Sequence, residues 1–231
     1  MPVDTAATLG ELVTADPRRS RVLQDYGLDY CCHGDRSLDQ ACAEAGLRSA
    51  EVAARLNIAD PRPAPWREYD VAELAEHILA AHHRYLWDEM PSLGDLVDLV
   101  VRVHGENHPE LRQVGADYYA LITDLTSHLT KEEQILFPSI IALGTPGAQP
   151  AFPGSLRGPI TQMLSEHDTA GDLLRGIRAA TKDFTVPADA CASYTAMLAR
   201  LERLETDLHE HIHKENNVLF LRVLDLESGA A

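Results

Sequence analysis

The chain has 231 residues, an apolar fraction of 45% and few aromatics at 6%, enough for one large domain or a medium domain with a small appendage. Its formal net charge of −16 argues against a nucleic-acid backbone or an anionic membrane as the main partner. Four cysteines (Cys31, Cys32, Cys42 and Cys191) are too few for a secreted disulfide scaffold. With no basic-apolar leader and no apolar run of bilayer length, a cytoplasmic protein with reduced thiols is expected.

In chain order, the first sixty residues read as short helices with clear punctuation. "TLGELV" follows Thr8 as a cap, and "PRRSRVLQDYG" opens at Pro17 and stops at Gly27. "SLDQACAEAG" is capped by Ser37 and stops at Gly46, and "SAEVAARLN" opens with Ser49. "LDYCCHGDR" lies between the second and third of these helices. "ADPRPAPW" then places three prolines in five residues, a density that breaks helices and stiffens a spacer. The reading is a small helical domain over 1–60, a proline-rich linker over 61–68 and a larger domain over 69–231.

From residue 69 the pattern turns to long amphipathic helices. One runs over 71–90, where Pro91 is expected to end or kink it. A second segment starts near Leu93 and is interrupted around Gly105. A third spans 109–143 with a kink at Pro138, and the Gly/Pro-rich "GTPGAQPAFPGSLRGP" follows it as a loop. A fourth helix covers 160–182, "FTVPADA" turns the chain, and the last helix covers 189–226. Nothing shows sustained β alternation. The fold class is all-α, an antiparallel four-helix bundle behind a small helical domain.

Chemistry enters where these helices place polar residues on their core faces. Tyr118, Leu121, Ile122, Leu125, Leu129 and Leu136 form an apolar stripe that includes His128 and Glu132, four residues apart and on one face. The last helix repeats this, with His211 and Glu215 among Leu201, Leu204, Leu208, Val218 and Leu219. His167 falls in line with Ile160, Met163, Leu164, Leu174 and Ile177. His83 aligns with Leu79, Leu86 and Met90, whereas its competitor His82 aligns with Ile78 and Tyr85. From His83 to His128 is 45 residues and from His167 to His211 is 44, which favours His83 and splits the bundle into two related hairpins.

A buried carboxylate without a partner shifts its pKa, pairs, or binds a cation. Two glutamates on facing helices, each one turn from a histidine, make a cage for two metal ions. The mixed nitrogen and oxygen donors fit iron or manganese better than a thiolate-rich zinc site. His77, His108, His209 and His213 read as surface or supporting residues, and His33 stays undecided. His104 can reach the cage only if the chain folds back at Pro91, Gly94 or Gly105, since a straight helix would carry it ~31 Å from His83. Cys31 and Cys32 are open between small core residues and a functional thiol pair, while Cys42 and Cys191 read as packing.

The segments "SHLTKEEQILFP", "SEHDTAG" and "HIHKENNVLF", preceded by "YGLDYCCHG", resemble the repair-of-iron-centres family of hemerythrin-like di-iron proteins with an N-terminal double-cysteine domain. The resemblance covers nearly the whole chain. It implies a hemerythrin-like bundle holding two non-haem irons, with an oxo or hydroxo bridge, ligated by His83, His104, His128, Glu132, His167, His211 and Glu215. By analogy with hemerythrin, Glu132 and Glu215 bridge, His83 and His128 serve one iron, and His104, His167 and His211 serve the other. Leu221 stands where the family commonly has proline, a departure expected to touch the helix tail rather than the ligands.

The same resemblance implies repair of iron–sulfur clusters damaged by nitric oxide or peroxide, through iron supply. Damaged iron–sulfur proteins would then be transient partners, Cys31 and Cys32 a thiol pair handling iron or nitric oxide, and the protein a dimer. A hemerythrin-like carrier or sensor of oxygen or nitric oxide has the same ligand count but no use for the double-cysteine domain. A di-iron oxidase or nitric oxide reductase ranks lower, because such oxidases carry more carboxylates.

Overall fold

Two capping boxes start the N-terminal domain. Thr8 accepts from the Glu11 N–H while Glu11 reaches back to the Thr8 N–H, opening α1 (Leu9–Ala15). Ser37 and Gln40 do the same for α3 (Leu38–Glu44). Between them lies α2 (Arg19–Asp25), and α4 (Ser49–Leu56) follows, beginning with Ser49 as expected. Gly27 and Gly46 take left-handed φ of 66° and 70° after α2 and α3, the stop role expected of them. Leu9, Leu12, Leu23, Leu38, Cys42, Val52 and Leu56 form this domain's core together with Ile212 from the far end of the chain.

The computed structural model describes residues 3–59, 63–145 and 154–229. Part of the proline-rich junction (60–62) and of the Gly/Pro-rich loop (146–153) lies outside the described residues. What is described of the junction is not a bare spacer: Pro65–Glu68 forms a 3-10 turn. Its Trp66 ring is buried, with the Lys214 ammonium 5.7 Å from the ring centre.

The larger domain is built from four rods. The first joins α5 (Val71–Ile78), a π-helical turn π1 (Leu79–His83) and α6 (Arg84–His104). The second joins α7 (Leu111–Lys131), π2 (Glu132–Leu136) and α8 (Phe137–Gly144). The third is α9 (Arg157–Ala180), without a π turn. The fourth joins α10 (Ala192–Lys214), π3 (Glu215–Leu219) and α11 (Phe220–Ser228). No strand occurs among the described residues. No helix there is long and apolar enough to cross a membrane.

Pro91 does not break the first rod. It lies on the exposed face inside α6, where water can serve the Trp87 carbonyl that lost its donor, so the helix continues to His104. Pro138 falls just after π2, at the first turn of α8, where a missing N–H is best tolerated. Leu221, in the corresponding place of the fourth rod, is exposed and α11 also continues. Leu164, expected on the inward stripe, is turned outward.

Two apolar layers result. One gathers Leu86, Val97, Tyr118, Leu121, Leu174, Tyr194, Leu201 and Leu204 toward one end of the bundle. The other gathers Trp66, Leu74, Ile78, Phe137, Ile140, Met163, Leu219 and Phe220 toward the other end. A buried band of histidines and glutamates separates them.

Candidate metal centre

Each rod brings its polar residues to this band for a local reason. His128 and Glu132, and likewise His211 and Glu215, stand one turn apart on an inward face. All four are at most 3% exposed. His83 closes π1, Glu132 opens π2 and Glu215 opens π3. Each π turn is closed by an N–H five residues on: Arg84 to Leu79, Phe137 to Glu132, Phe220 to Glu215. The extra residue per turn lets neighbours that an α-helix would point apart share the interior. π turns cluster at functional sites, and three of the four rods carry one at this level.

Two groups of ligand atoms form. His83, His211, Glu132 and Glu215 make one; His128, His167, Glu132 and Glu215 make the other. Both carboxylates belong to both. Glu132 Oε2 lies 3.2 Å from His128 Nε2 and 3.4 Å from His83 Nε2. Glu215 Oε2 lies 3.1 Å from His167 Nε2, and its Oε1 lies 2.8 Å from His211 Nε2. His128 and His167 face each other at Nε2 across 3.1 Å.

The outer nitrogens fix the tautomers. His83 Nδ1–H donates to Glu133 Oε1 at 3.0 Å and His128 Nδ1–H to Glu166 Oε2 at 2.8 Å. His167 Nδ1–H donates to Asn216 Oδ1 at 2.7 Å. These acceptors leave lone pairs on the inward Nε2 atoms, as in metal sites whose histidines are backed by carboxylate or carbonyl groups.

The residues fit cations. Both oxygens of Glu132, Oε2 of Glu215 and Nε2 of His83 are buried without a hydrogen bond. A native interior rarely leaves such atoms orphaned. Two lone pairs 3.1 Å apart repel unless something positive sits between them, and two nitrogens at ~2.1 Å from a zinc-like metal at a right angle would stand about 3.0 Å apart.

Without a cation the charges redistribute. Burial works against both carboxylates, yet Glu132 is held below its ordinary pKa by His128 and His83, and Glu215 well below by His211 and His167. Burial also opposes charge on His128, but Glu132, Glu215 and Glu166 raise it to about 9. For His211 burial wins and pushes it down to about 4.

His104 is not in this band. The unbroken α6 carries it to the opposite end of the bundle, ~31 Å along the helix from His83. There its Nε2 meets Cys191 Sγ at 3.1 Å and its ring packs on Tyr194. The fold-back at Pro91 or Gly94 that would bring His104 to the cage does not occur. The grouping of ligands also differs from the analogy: His83 pairs with His211 and His128 with His167, with four imidazoles rather than five.

Cys191, read as packing, is exposed at the N-cap of α10. The Tyr194 N–H, then His104, then the Ser193 N–H pull its thiol down to about 7, while burial lifts Cys42, and Cys32 together with burial lifts Cys31 well up. Thiolates are the reactive form, so alkylation of Cys191 by iodoacetamide is expected ahead of Cys31 and Cys42, rising through a midpoint near pH 7. His104→Ala should move that midpoint upward. An unchanged pH profile would show that the imidazole does not act on the thiol.

The double cysteine docks on the bundle. Cys31 is buried and Cys32 partly so, their sulfurs 3.8 Å apart and free. Asp29 Oδ1 accepts from both backbone N–H groups, at 3.2 and 2.9 Å, and Asp29 Oδ2 pairs with His33. The Cys32 thiol donates to the His167 carbonyl at 3.5 Å. Cys31 is thus packed like a core residue, while Cys32 keeps part of its surface open to solvent.

Comparison with known proteins bears on both domains. Residues 5–60 match the ScdA_N family, described as a Domain of Unknown function (DUF542), and residues 74–223 match the "Hemerythrin HHE cation binding domain". The iron-sulfur cluster repair protein YtfE of Enterobacter sp. (strain 638) is 38% identical over 218 residues, covering 94% of this chain and 96% of that protein. The proteins of the same name from Citrobacter koseri and Musicola paradisiaca are 37% and 36% identical, each over 94% of this chain and 96% of their own length. The chain belongs to the YtfE family of iron–sulfur cluster repair proteins.

For this YtfE-family chain, sequence reasoning missed the residues that hold the histidines. Glu133, Glu166 and Asn216 carry no periodic signal that sets them apart from surface polar residues. His82 competes with His83 for the inward position on a regular helix, yet both are buried. His82 stacks parallel on the His211 ring at 5.4 Å, donates to Asp207 through Nδ1 and accepts from the Lys214 ammonium at Nε2. His213 is buried against Tyr30 and Trp66, and the half-buried His209 bonds Gln24. The docked N-terminal domain covers both.

Proposed function

We propose that the chain is a non-haem di-iron protein that repairs iron–sulfur clusters damaged by nitrosative or oxidative stress, supplying iron from its bundle. Membership of the YtfE family supports the repair role. The observation that carries the di-iron reading is the sharing of Glu132 and Glu215 between two histidine pairs. That arrangement suits two cations bridged by two carboxylates, and the mixed nitrogen and oxygen donors suit iron.

His83 and His211 would hold one iron and His128 and His167 the other, with an oxo or hydroxo bridge balancing part of the remaining positive charge. Bound iron supplies redox and ligand-exchange chemistry. The chain's own residues do the rest. Glu133, Glu166 and Asn216 keep three imidazoles aimed inward, the two apolar layers exclude bulk water, and only two carboxylates grip the pair. Few anionic ligands make the iron easier to give up than in a carboxylate-rich site. Cys32 stands beside His167, between the metal band and an open cleft lined by Thr8, Glu11, His33, Asp168, Asn217 and Leu221, with Cys31 buried next to it. Transient partners on this reading are damaged iron–sulfur proteins.

The test is repair itself. Iron-loaded protein incubated with an iron–sulfur enzyme inactivated by nitric oxide should restore that enzyme's activity, and Cys31→Ser with Cys32→Ser should weaken the effect. No restoration by the loaded wild type overturns the repair reading. Equal restoration by the double variant removes the thiols from it. A stable, reversible oxygen adduct of the reduced protein would instead favour a carrier.

A further inference from the structure

The two halves of the metal band are not equivalent, and the difference lies one residue after each bridging glutamate. In the second rod that residue is Glu133, whose carboxylate receives His83 Nδ1–H. In the fourth rod it is Asn216, which receives His167 Nδ1–H at 2.7 Å. A carboxylate can only accept. An amide can also donate, and Asn216 does so: its Nδ2 bonds the Cys31 carbonyl at 3.2 Å. Asn217 Nδ2 adds bonds to the Tyr30 and Cys31 carbonyls at 3.3 and 3.0 Å. The loop sits so close that a Cβ on Gly34 or on Gly10 would stand 2.3 or 2.6 Å from Asn217 Oδ1. One amide side chain therefore joins a ring of the metal band directly to the thiol loop.

Building on the di-iron reading, we propose that Asn216 couples the state of the thiol loop to the cation position formed by His128 and His167, so that modification of Cys32 loosens that position and leaves the His83–His211 position unchanged. The cause is steric. Cys32 Sγ lies against α9, its thiol on the His167 carbonyl, and the space between the sulfur and Gly171 takes one methyl group in ordinary contact. A carbamidomethyl group is larger than that gap, so it displaces the sulfur from α9 toward the cleft and pulls the loop with it, which takes the Cys31 carbonyl from Asn216 and frees the amide that fixes the His167 ring. The Cys32 contact with the His167 carbonyl transmits little, because that carbonyl belongs to the backbone ladder of α9. His83 and His211 have no contact with the loop of this kind. His83 is held from the second rod.

The test uses full-length iron-loaded protein carrying Cys191→Ser, which removes the exposed competing thiol. Cys32 is alkylated with iodoacetamide, the adduct is located by mass, and transfer of iron to a ferrous chelator is followed. One iron of the two is expected to leave about tenfold faster after alkylation, the scale of losing a group that orients a ligand. Asn216→Asp keeps the acceptor for His167 but lacks the donor to Cys31 from the start, so one of its irons should already leave at the faster rate and alkylation should add nothing. Faster loss of both irons alike, no change on alkylation, or an Asn216→Asp protein that responds as its parent does overturns the coupling. The alkylation arm decides even if the variant fails to fold. A protein that holds one iron before alkylation contradicts the di-iron reading and the coupling together. Failure in the repair assay with the coupling intact overturns only the repair role.

Discussion

Purified Glu215→Ala protein is expected to contain almost no iron, although only one of six ligand side chains has been changed. The reason is geometric. Glu215 faces His167 with one oxygen and His211 with the other, and so belongs to both cation groups. On the di-iron proposal, removing it would take a ligand from each iron and the negative charge that offsets both. Loss of a group that merely orients a ligand costs about 10- to 100-fold in affinity, and loss of a bridging ligand costs more at each position. Glu132→Ala should behave alike, whereas His83→Ala should weaken one position and spare the other. His104→Ala is the control and should keep both irons, since His104 bonds Cys191 at the other end of the bundle. Iron analysis after loading decides this. A Glu215→Ala protein retaining one tightly held iron would show that the carboxylates do not bridge.

Stripping the metal is expected to lower stability and to change how it depends on pH. A ligand at about 100 times its Kd stabilises a fold by about 2.7 kcal/mol per site, and in a chain of this size each kcal/mol moves Tm by about 2–4 °C. Two sites together place the iron-free protein on the order of 10 °C or more below the loaded one. The pH dependence follows from the groups left behind. His128, raised to about 9, binds its proton more tightly folded than unfolded. Its stabilisation is complete below about pH 6.5 and is lost as pH rises through 9, a change of about 3 kcal/mol at 1.36 kcal/mol per unit. His211, lowered to about 4, has the opposite sign: its neutral form is favoured by folding, and stability falls as pH drops from about 6.5 toward 4. The iron-free protein should therefore be most stable near neutral pH and weaken on both sides, while bound cations, which hold the imidazoles neutral, remove the loss on the alkaline side and steepen it on the acid side. Denaturant midpoints of the two forms across pH 5 to 9.5 check this. Superimposable curves would contradict it.

The site was legible in the sequence where one helix decides the matter alone. His128 with Glu132 and His211 with Glu215 announced themselves because four-residue spacing on an apolar stripe puts both groups inside, and His167 followed from the same periodicity. Where two local rules compete, the reading went astray. His82 and His83 cannot both face inward on an α-helix, and only the π turn that admits both resolves them. Pro91 would break a helix on the core side and does not on the exposed side, and that difference decides whether His104 approaches the metal band or leaves it. The burial of His213 and the partner of Asn216 depend on contacts nearly 200 residues apart in the chain, for which no local pattern exists. The capped helices of the first domain and the all-α bundle, by contrast, rest on cap residues, glycine stops and stripes that act within a few residues.

Iron should occupy two positions that share both carboxylates. Crystals of the iron-loaded protein measured at the iron absorption edge should show two anomalous peaks. One is expected among His83, His211 and the two glutamates, the other among His128, His167 and the same two glutamates, with none at His104. A single peak, or two peaks that do not share Glu132 and Glu215, would contradict it.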